Sequence, residues 1–203
     1  MNSPDIKLFI EVFVTLFVIM DPPGTIPLFL SLTGGRTEEM RRRLAWQAVL
    51  VAFFVITVFA LFGQSILNYL GITLPAMQAA GGLLLLLVAL ELLTGKADEP
   101  TQTTNVNVAL VPLGTPLLAG PGAIVATIVF VRGVDDAGEG LAIAAGIVAV
   151  HVVLWLFMRF SVGIIRVIRT SGVTLVTRIA GLLLSAIAVQ LVADAVTAFI
   201  AEA

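Results

Sequence analysis

The chain has 203 residues, of which 59% are hydrophobic and only 12% are charged. Soluble globular domains carry about 25% charged residues, and a soluble globule of this composition would expose large apolar patches, so a polytopic membrane protein is indicated. The formal net charge of -2 does not suggest a nucleic-acid partner, and the lack of cysteine with a single histidine argues against thiolate chemistry, a metal site or another cofactor.

Six segments are long and apolar enough to cross a membrane as helices, since a span needs about 20 mostly apolar residues. They cover residues 6–32, 44–67, 72–93, 106–131, 141–160 and 179–200. The connections are short, so the sequence predicts a single all-α transmembrane domain over residues 1–203. No basic run precedes the first span, which we therefore interpret as retained in the membrane and not as a signal peptide.

Lysine and arginine residues indicate the orientation of these spans. Nine of the eleven lie in the connections after spans one, three and five, and only Lys7 and Arg132 lie on the other side. The positive-inside rule then puts those three connections in the cytoplasm and both termini outside it, in the cell (inner or plasma) membrane. We interpret the triplet at 41–43 as an orientation anchor, with anionic lipid headgroups as the alternative. Residues 164–169 are predicted to extend span five along the interface.

The two halves of the chain resemble each other. Pro-Gly-Thr-Ile at 23–26 matches Pro-Gly-Ala-Ile at 121–124, and Gly-Leu-Leu-Leu at 82–85 recurs at 181–184, at offsets of 98 and 99. Each half has three spans, so the predicted repeats, 1–98 and 99–203, are inverted relative to each other. This architecture is typical of secondary transporters that rock around a midplane site. Shared small-residue packing motifs are the simpler alternative.

Prolines and glycines are predicted to interrupt spans one and four, at 21–27 and 112–123. Proline removes a backbone donor and clashes with the preceding turn, so we expect new half-helices from about Thr25 and Ala123. Irregular backbone within a membrane is tolerated only inside protein or beside a wet cavity, and the N–H groups of a half-helix start can hold an anion. Both breaks are therefore expected to enclose one polar pocket, with structural proline kinks as the alternative.

Asp21 is the strongest single candidate, because a carboxylate within a membrane span costs at least ~2.5 kcal/mol unless it has partners. It could bind a substrate ammonium, exchange a proton or ligate a cation, and an N-cap role is compatible with these. His151 is a candidate for proton coupling, although a packing role is the simpler interpretation. The other substrate-site candidates lie beside the breaks: Pro23, Gly24, Thr25, Pro27, Thr115, Gly120, Pro121, Gly122 and Ala123.

The motifs at 21–30 and 116–124, with the glycine–leucine starts of spans three and six, resemble the MarC family of six-span membrane proteins over essentially the whole chain. The resemblance implies an inverted three-plus-three fold and, for the SnatA-type members, transport of small neutral amino acids such as glycine and alanine. It also implies a substrate region formed by residues 21, 24, 25, 27 and 120–122. Pro23 and Thr25 depart from the commonest family pattern, in which a bulkier residue and asparagine are frequent.

We therefore expect a secondary transporter of small neutral amino acids. The half-helix starts at Thr25 and Ala123 would bind the substrate carboxylate, and Asp21 its ammonium or a coupling proton. No nucleotide-binding motif is present, so an H+ or Na+ gradient is the expected energy source. The alternatives are a passive channel, for which no ring of charges is seen, a membrane-embedded enzyme, for which paired carboxylates are missing, and a non-transporting scaffold. The sequence assigns no oligomeric state.

Overall fold

The computed structural model describes residues 3–94 and 118–202, and this part of the chain contains helices and turns but no strands. The helices are α1 (Ser3–Met20), α2 (Pro22–Leu32), α3 (Glu38–Leu70), α4 (Leu74–Thr94), α5 (Pro121–Arg132), α6 (Ala137–Arg159) and α7 (Ser161–Glu202). The all-α prediction is confirmed for these residues.

Five segments in the described part are long and apolar enough to cross a membrane. They are Asp5–Leu30, Glu38–Leu70, Leu74–Thr94, Ala137–Arg159 and Ser171–Ala201. α5 is apolar but has only 12 residues, and residues 106–117 of the predicted fourth span lie outside the described residues. A multi-pass helical membrane protein is thus confirmed, whereas the count of six spans and their orientation stay predictions.

α3 extends beyond the predicted span 44–67 at both ends. Thr37 caps its start by accepting a hydrogen bond from the Met40 amide at 3.3 Å, and Gly71 ends it with a φ of 67°. The acidic side chains of Glu38 and Glu39 in the first turn stabilise the helix by interacting with the positive end of its dipole. The arginine triplet at 41–43 therefore lies in the first turns of α3 and not in a connecting loop.

The region after span five also differs from the prediction. α6 ends at Arg159, and α7 begins two residues later at Ser161, so residues 164–169 form the first part of α7 and do not extend span five. Arg169 interrupts α7 with φ 61° and ψ 165°. The charged residues near position 166 pointed to a connection, but long arginine side chains can stay solvated from a helix near the membrane interface.

Among the described helices the most extensive packing interface joins α4 and α7, and glycines bring the two backbones close together. A Cβ atom on Gly82 would lie 2.8 Å from the Ala188 carbonyl oxygen, and one on Gly181 would lie 3.2 Å from the Ala89 carbonyl oxygen. α2 packs on α6 and α7, whereas α5 packs on α3 and α4. The helix after the first predicted break, α2, therefore packs on α7, and the helix after the second, α5, packs on α4.

Candidate functional site

The first break lies at Asp21, between α1 and α2. Asp21 has a φ of 39°, in the left-handed region that non-glycine residues seldom adopt. Its amide donates to the Phe17 carbonyl at 3.1 Å, and its carbonyl accepts from the Thr25 amide at 3.0 Å, so helical hydrogen bonds continue on both sides of this residue. α2 begins at Pro22, three residues before the predicted start, because the fixed φ of proline suits the first helical position.

Prolines leave several backbone carbonyls at this break without their helical donors. Pro22 and Pro23 have no N–H, so neither can donate to the carbonyl four residues earlier, at Val18 and Ile19. Pro27, inside α2, fails in the same way to donate to the Pro23 carbonyl. The break therefore presents carbonyl oxygens that can accept hydrogen bonds from a bound ammonium or coordinate a cation.

The amides at the start of α2 are much less available than the sequence suggested. The Thr25 amide donates to the Asp21 carbonyl, and the Thr25 hydroxyl donates to the same oxygen at 3.0 Å. Because the first two residues of α2 are prolines, the Gly24 amide is the one N–H in the first turn without an acceptor inside the helix. The expected anion-binding start at Thr25 is therefore reduced to a single amide one residue earlier.

The Asp21 side chain is buried, with 7% of its surface exposed. It lies beside Gly24 and Thr177, since a Cβ atom on Gly24 would overlap Asp21 Oδ2 and come within 3.0 Å of Thr177 Oγ1. Neither carboxylate oxygen, nor the Thr177 hydroxyl, has a hydrogen-bond partner of good geometry among the described residues. The Gly24 amide and the Thr177 hydroxyl are nevertheless the donors nearest the carboxylate, so these groups form one buried polar cluster at the first break.

Thr177 was missed by the sequence analysis because Arg178 beside it suggested a connecting loop before span six. In the structure both residues are inside α7, and α7 packs against α2. One signal could have found it: at the repeat offset of 99, Thr177 corresponds to Gln78, another polar residue one turn before a glycine of the Gly-Leu motif. Polar residues at equivalent positions of two apolar spans are candidates for one site.

The second break precedes α5. Gly120 is extended there, with φ −64° and ψ 165°, and provides no side-chain cap. α5 begins at Pro121, two residues before the predicted start at Ala123. The amides of Gly122 and Ala123 are buried in the first turn and have no acceptor within the helix. A Cβ atom on Gly122 would overlap the Leu85 side chain, so α5 approaches α4 closely at this point.

Both breaks border one apolar core. Met20 and Phe29, on either side of the first break, belong to the same buried cluster as Ala119 and Ala123 at the second, and α1 packs against α5. Thr115 lies outside the described residues. A polar pocket shared by the two breaks stays a prediction, as do the roles of the individual candidate residues.

His151 is buried in α6, on the side that faces α3. Its Nδ1 atom lies 2.7 Å from the Ile147 carbonyl, and its ring meets the Phe53 ring edge to face, with centroids 5.2 Å apart. A second backbone hydrogen bond links the ring to Ala52 of α3. The contacts described for His151 are with α6 and α3, and none of them is with Asp21.

Comparison with known proteins identifies the family. A family model described as "MarC family integral membrane protein" matches residues 6–200. A UPF0056 membrane protein of Aquifex aeolicus is 37% identical over 92% of this chain and 91% of its own length. Another, from Methanocaldococcus jannaschii, is 34% identical over 95% and 97%, and UPF0056 membrane protein YhcE of Escherichia coli is 30% identical over 93% and 91%. No solved structure matches. The chain therefore belongs to the MarC family of integral membrane proteins.

Proposed function

We propose that this protein is a secondary transporter of small neutral amino acids, of the size of glycine and alanine. The observation that carries the proposal is the buried Asp21 carboxylate at the α1–α2 break, which has no cationic partner among the described residues and only neutral donors, the Gly24 amide and the Thr177 hydroxyl, beside it. Within a membrane span an unpaired carboxylate is costly, and such residues are functional candidates by default. A cationic group that binds and leaves would offset this cost.

The ammonium of an amino acid fits the first break better than its carboxylate does. Asp21 already brings a negative charge to the start of α2, and Pro22 and Pro23 contribute no amides there. The nearby carbonyls of the last turn of α1 add further partial negative charge. Asp21, with Thr177 and the Gly24 amide as neighbours, would therefore hold the ammonium.

The substrate carboxylate would be bound at the second break. The start of α5 has two amides without helical acceptors, at Gly122 and Ala123, and no acidic side chain in its first turn. A helix N-terminus of this kind favours an anion through both its N–H groups and its dipole. This assignment gives each end of the zwitterion its own broken helix, and it replaces the expectation that both half-helix starts bind the carboxylate.

The packing of the helices supports the proposed inverted repeat. Gly82 matches Gly181 at an offset of 99, and Ala89 matches Ala188 at the same offset. Gly82 approaches the Ala188 carbonyl, and Gly181 approaches the Ala89 carbonyl. Exchange of the two halves thus reproduces the same pair of contacts. Likewise, the first break packs on α7 and the second on α4, which occupy equivalent places in the two halves. Such repeats rock against each other in secondary transporters.

Energy for transport would come from an H+ or Na+ gradient. Asp21 is the proposed site of coupling, because one carboxylate can hold either an ammonium, a proton or a cation. His151 is a second coupling candidate, as the single histidine of the chain and one that is buried within α6. Lipid is the surrounding medium of the transporter, and we assign no cofactor and no enzymatic reaction to it.

Flux into proteoliposomes tests the proposal. Labelled glycine or alanine uptake by the intact protein should saturate and show counterflow, and Asp21→Asn should lower it at least about tenfold, as expected when one strong charge-assisted interaction is lost. Glu91→Gln, which neutralises an exposed carboxylate on α4, is the matched control and should keep its flux. Wild-type flux in Asp21→Asn would overturn the role of this charge.

The same preparation separates the alternatives. A channel would give currents that do not saturate and would show no counterflow. A scaffold would give no uptake, and its melting temperature would not rise with any amino acid at any pH or sodium concentration. Either result contradicts a carrier.

A further inference from the structure

A cavity of about 220 Å³ lies where the start of α3 meets the end of α6 and the start of α7. None of its lining residues belongs to either break, and the proposed transport site does not use it. Three arginines line it, Arg41, Arg42 and Arg159, together with Glu38. The lining therefore carries two more positive than negative formal charges. Its volume is far above the roughly 10–15 Å³ that admits one water molecule.

The arginines are held by contacts that leave bonding capacity unused. Glu38 pairs with Arg42, and its Oε1 lies 4.0 Å from Arg159 Nη1, so a single carboxylate is shared between two guanidinium groups. Arg159 also lies over the Phe160 ring, with its Cζ atom 5.0 Å from the centroid. The Nε atom of Arg41 is buried and has no partner among the described residues. With one carboxylate among three guanidinium groups, the cluster retains donors that can bind a further anionic oxygen.

Backbone and space on the α7 side suit the same kind of ligand. Ser161, Val162 and Gly163 all line the cavity, and as the first residues of α7 their amides have no acceptor within that helix. A Cβ atom on Gly163 would meet nothing within 4 Å. Guanidinium groups and helix-start amides together are the donors that proteins use for phosphate.

Apolar side chains at the same place favour a lipid as the source of the phosphate. Phe160 and Val162 line the cavity and are 52% and 40% exposed. In a protein that spans a membrane, exposed apolar side chains next to a basic cavity at the ends of spans match the two parts of a phospholipid. The excess positive charge selects an anionic headgroup over a zwitterionic one.

We infer that the cavity lined by Arg41, Arg42, Arg159 and the start of α7 binds the phosphate group of an anionic phospholipid, whose acyl chains lie against Phe160 and Val162. The site ties α3, α6 and α7 together at the side of the membrane that the sequence predicts to be cytoplasmic. It is independent of the proposed amino-acid site and does not require transport.

Binding to the purified full-length protein in neutral detergent tests the inference, with short-chain phosphatidylglycerol, short-chain phosphatidylcholine and inorganic phosphate titrated separately. Phosphatidylglycerol should bind at least about tenfold more tightly than phosphatidylcholine, because the arginines add charge-assisted bonds to a net anionic headgroup. Inorganic phosphate should bind more weakly still, since it makes no apolar contact. Equal binding of both lipids would overturn the inference, and equal binding of phosphate and phosphatidylglycerol would overturn the assignment to a lipid.

Three variants locate the site. Arg159→Gln should weaken phosphatidylglycerol binding about tenfold by removing one charge-assisted partner, and Gly163→Leu should do so by filling the open space without changing any charge. Arg166→Gln removes an exposed arginine of α7 whose side chain does not line the cavity, and it should leave binding within about twofold of wild type, as expected for an exposed charge. Wild-type binding in both Arg159→Gln and Gly163→Leu, or an equal loss in Arg166→Gln, contradicts the site.

Discussion

Gly24→Ala is the substitution for which the structure makes the most definite statement about the first break. The added Cβ would overlap Asp21 Oδ2, lie 2.8 Å from Asp21 Cγ and lie 3.0 Å from Thr177 Oγ1. Asp21 is 7% exposed, so its carboxylate has little room to rotate away. Either this group or the contact between α2 and α7 has to shift.

The change in unfolding free energy on Gly24→Ala is the sum of two opposing contributions. Alanine is better than glycine in a helix by roughly 0.5–1 kcal/mol, whereas an added methyl group in a packed interior costs typically about 1–3 kcal/mol. Gly140→Ala is the matched control, because Gly140 is in the first turns of α6 and its Cβ would meet only Val134 Cγ1 at an ordinary 3.8 Å. Since the helix term is common to both variants, their difference in unfolding free energy should equal the packing term, about 1–3 kcal/mol.

Reversible unfolding in mixed micelles of dodecylmaltoside and sodium dodecyl sulfate measures this difference, and proteoliposome uptake measures the effect on transport. Uptake should fall at least about tenfold in Gly24→Ala, since displacement of a positioned group by about 1 Å can cost up to 100-fold in rate. It should stay at the wild-type level in Gly140→Ala. The cause is checked by the double variant Gly24→Ala/Asp21→Ser, which removes the overlapped oxygen and should lose less stability than the two single variants together. Strict additivity, or equal stability of Gly24→Ala and Gly140→Ala, would refute the reasoning.

Three further outcomes are expected. Gly122→Ala should destabilise the protein by about 1–3 kcal/mol through its overlap with Leu85. In the same unfolding assay, the double variant Gly122→Ala/Leu85→Ala should lose less unfolding free energy than the two single variants lose together. Additive losses would mean that the overlap is relieved without cost. Gly82→Ala, at 2.8 Å from a backbone oxygen, should unfold more readily than Gly181→Ala at 3.2 Å, and the reverse order would contradict the packing of α4 on α7. Thr177→Val should lower amino-acid uptake while Thr177→Ser retains it, and Thr177→Val should lose no more than the roughly 1.5–3 kcal/mol of one hydrogen bond to a carboxylate; wild-type uptake in Thr177→Val would exclude the hydroxyl from the site.

The sequence predicted the existence of the first break because its cause is local. Two consecutive prolines inside an apolar segment remove two helical donors whatever surrounds them, and the structure has its discontinuity directly before them. The starting point of α2 was predicted three residues too late. It depends on Asp21 adopting a φ of 39°, which costs of order 1–3 kcal/mol and persists only when the surrounding structure requires it.

The surroundings of Asp21 could not be predicted in the same way. Thr177 is 156 positions from Asp21 in the chain, and no local pattern specifies that α7 packs on α2. The arginines of the cavity show the same limit, because Arg41 and Arg159 read individually as orientation anchors. Only the packing of α3 against α6 gathers them around Glu38.

The atoms that face the glycines indicate which helices are rigid and which can move. In α4 and α7, Gly82 and Gly181 face backbone carbonyls, which cannot move without moving a whole helix, so this pair has little room to adjust. At the breaks, Gly24 and Gly122 face the side chains of Asp21 and Leu85, which can rotate once space is available. If the amino-acid site works as proposed, closure around a substrate should shift the broken helices while the α4–α7 pair stays nearly unchanged. With saturating alanine, the hydrogen exchange of the amides within residues 20–25 and 120–124 should therefore slow. The amides around Gly82 and Gly181 should keep their exchange rates. Slowing confined to α4 and α7 would mean that the substrate binds elsewhere.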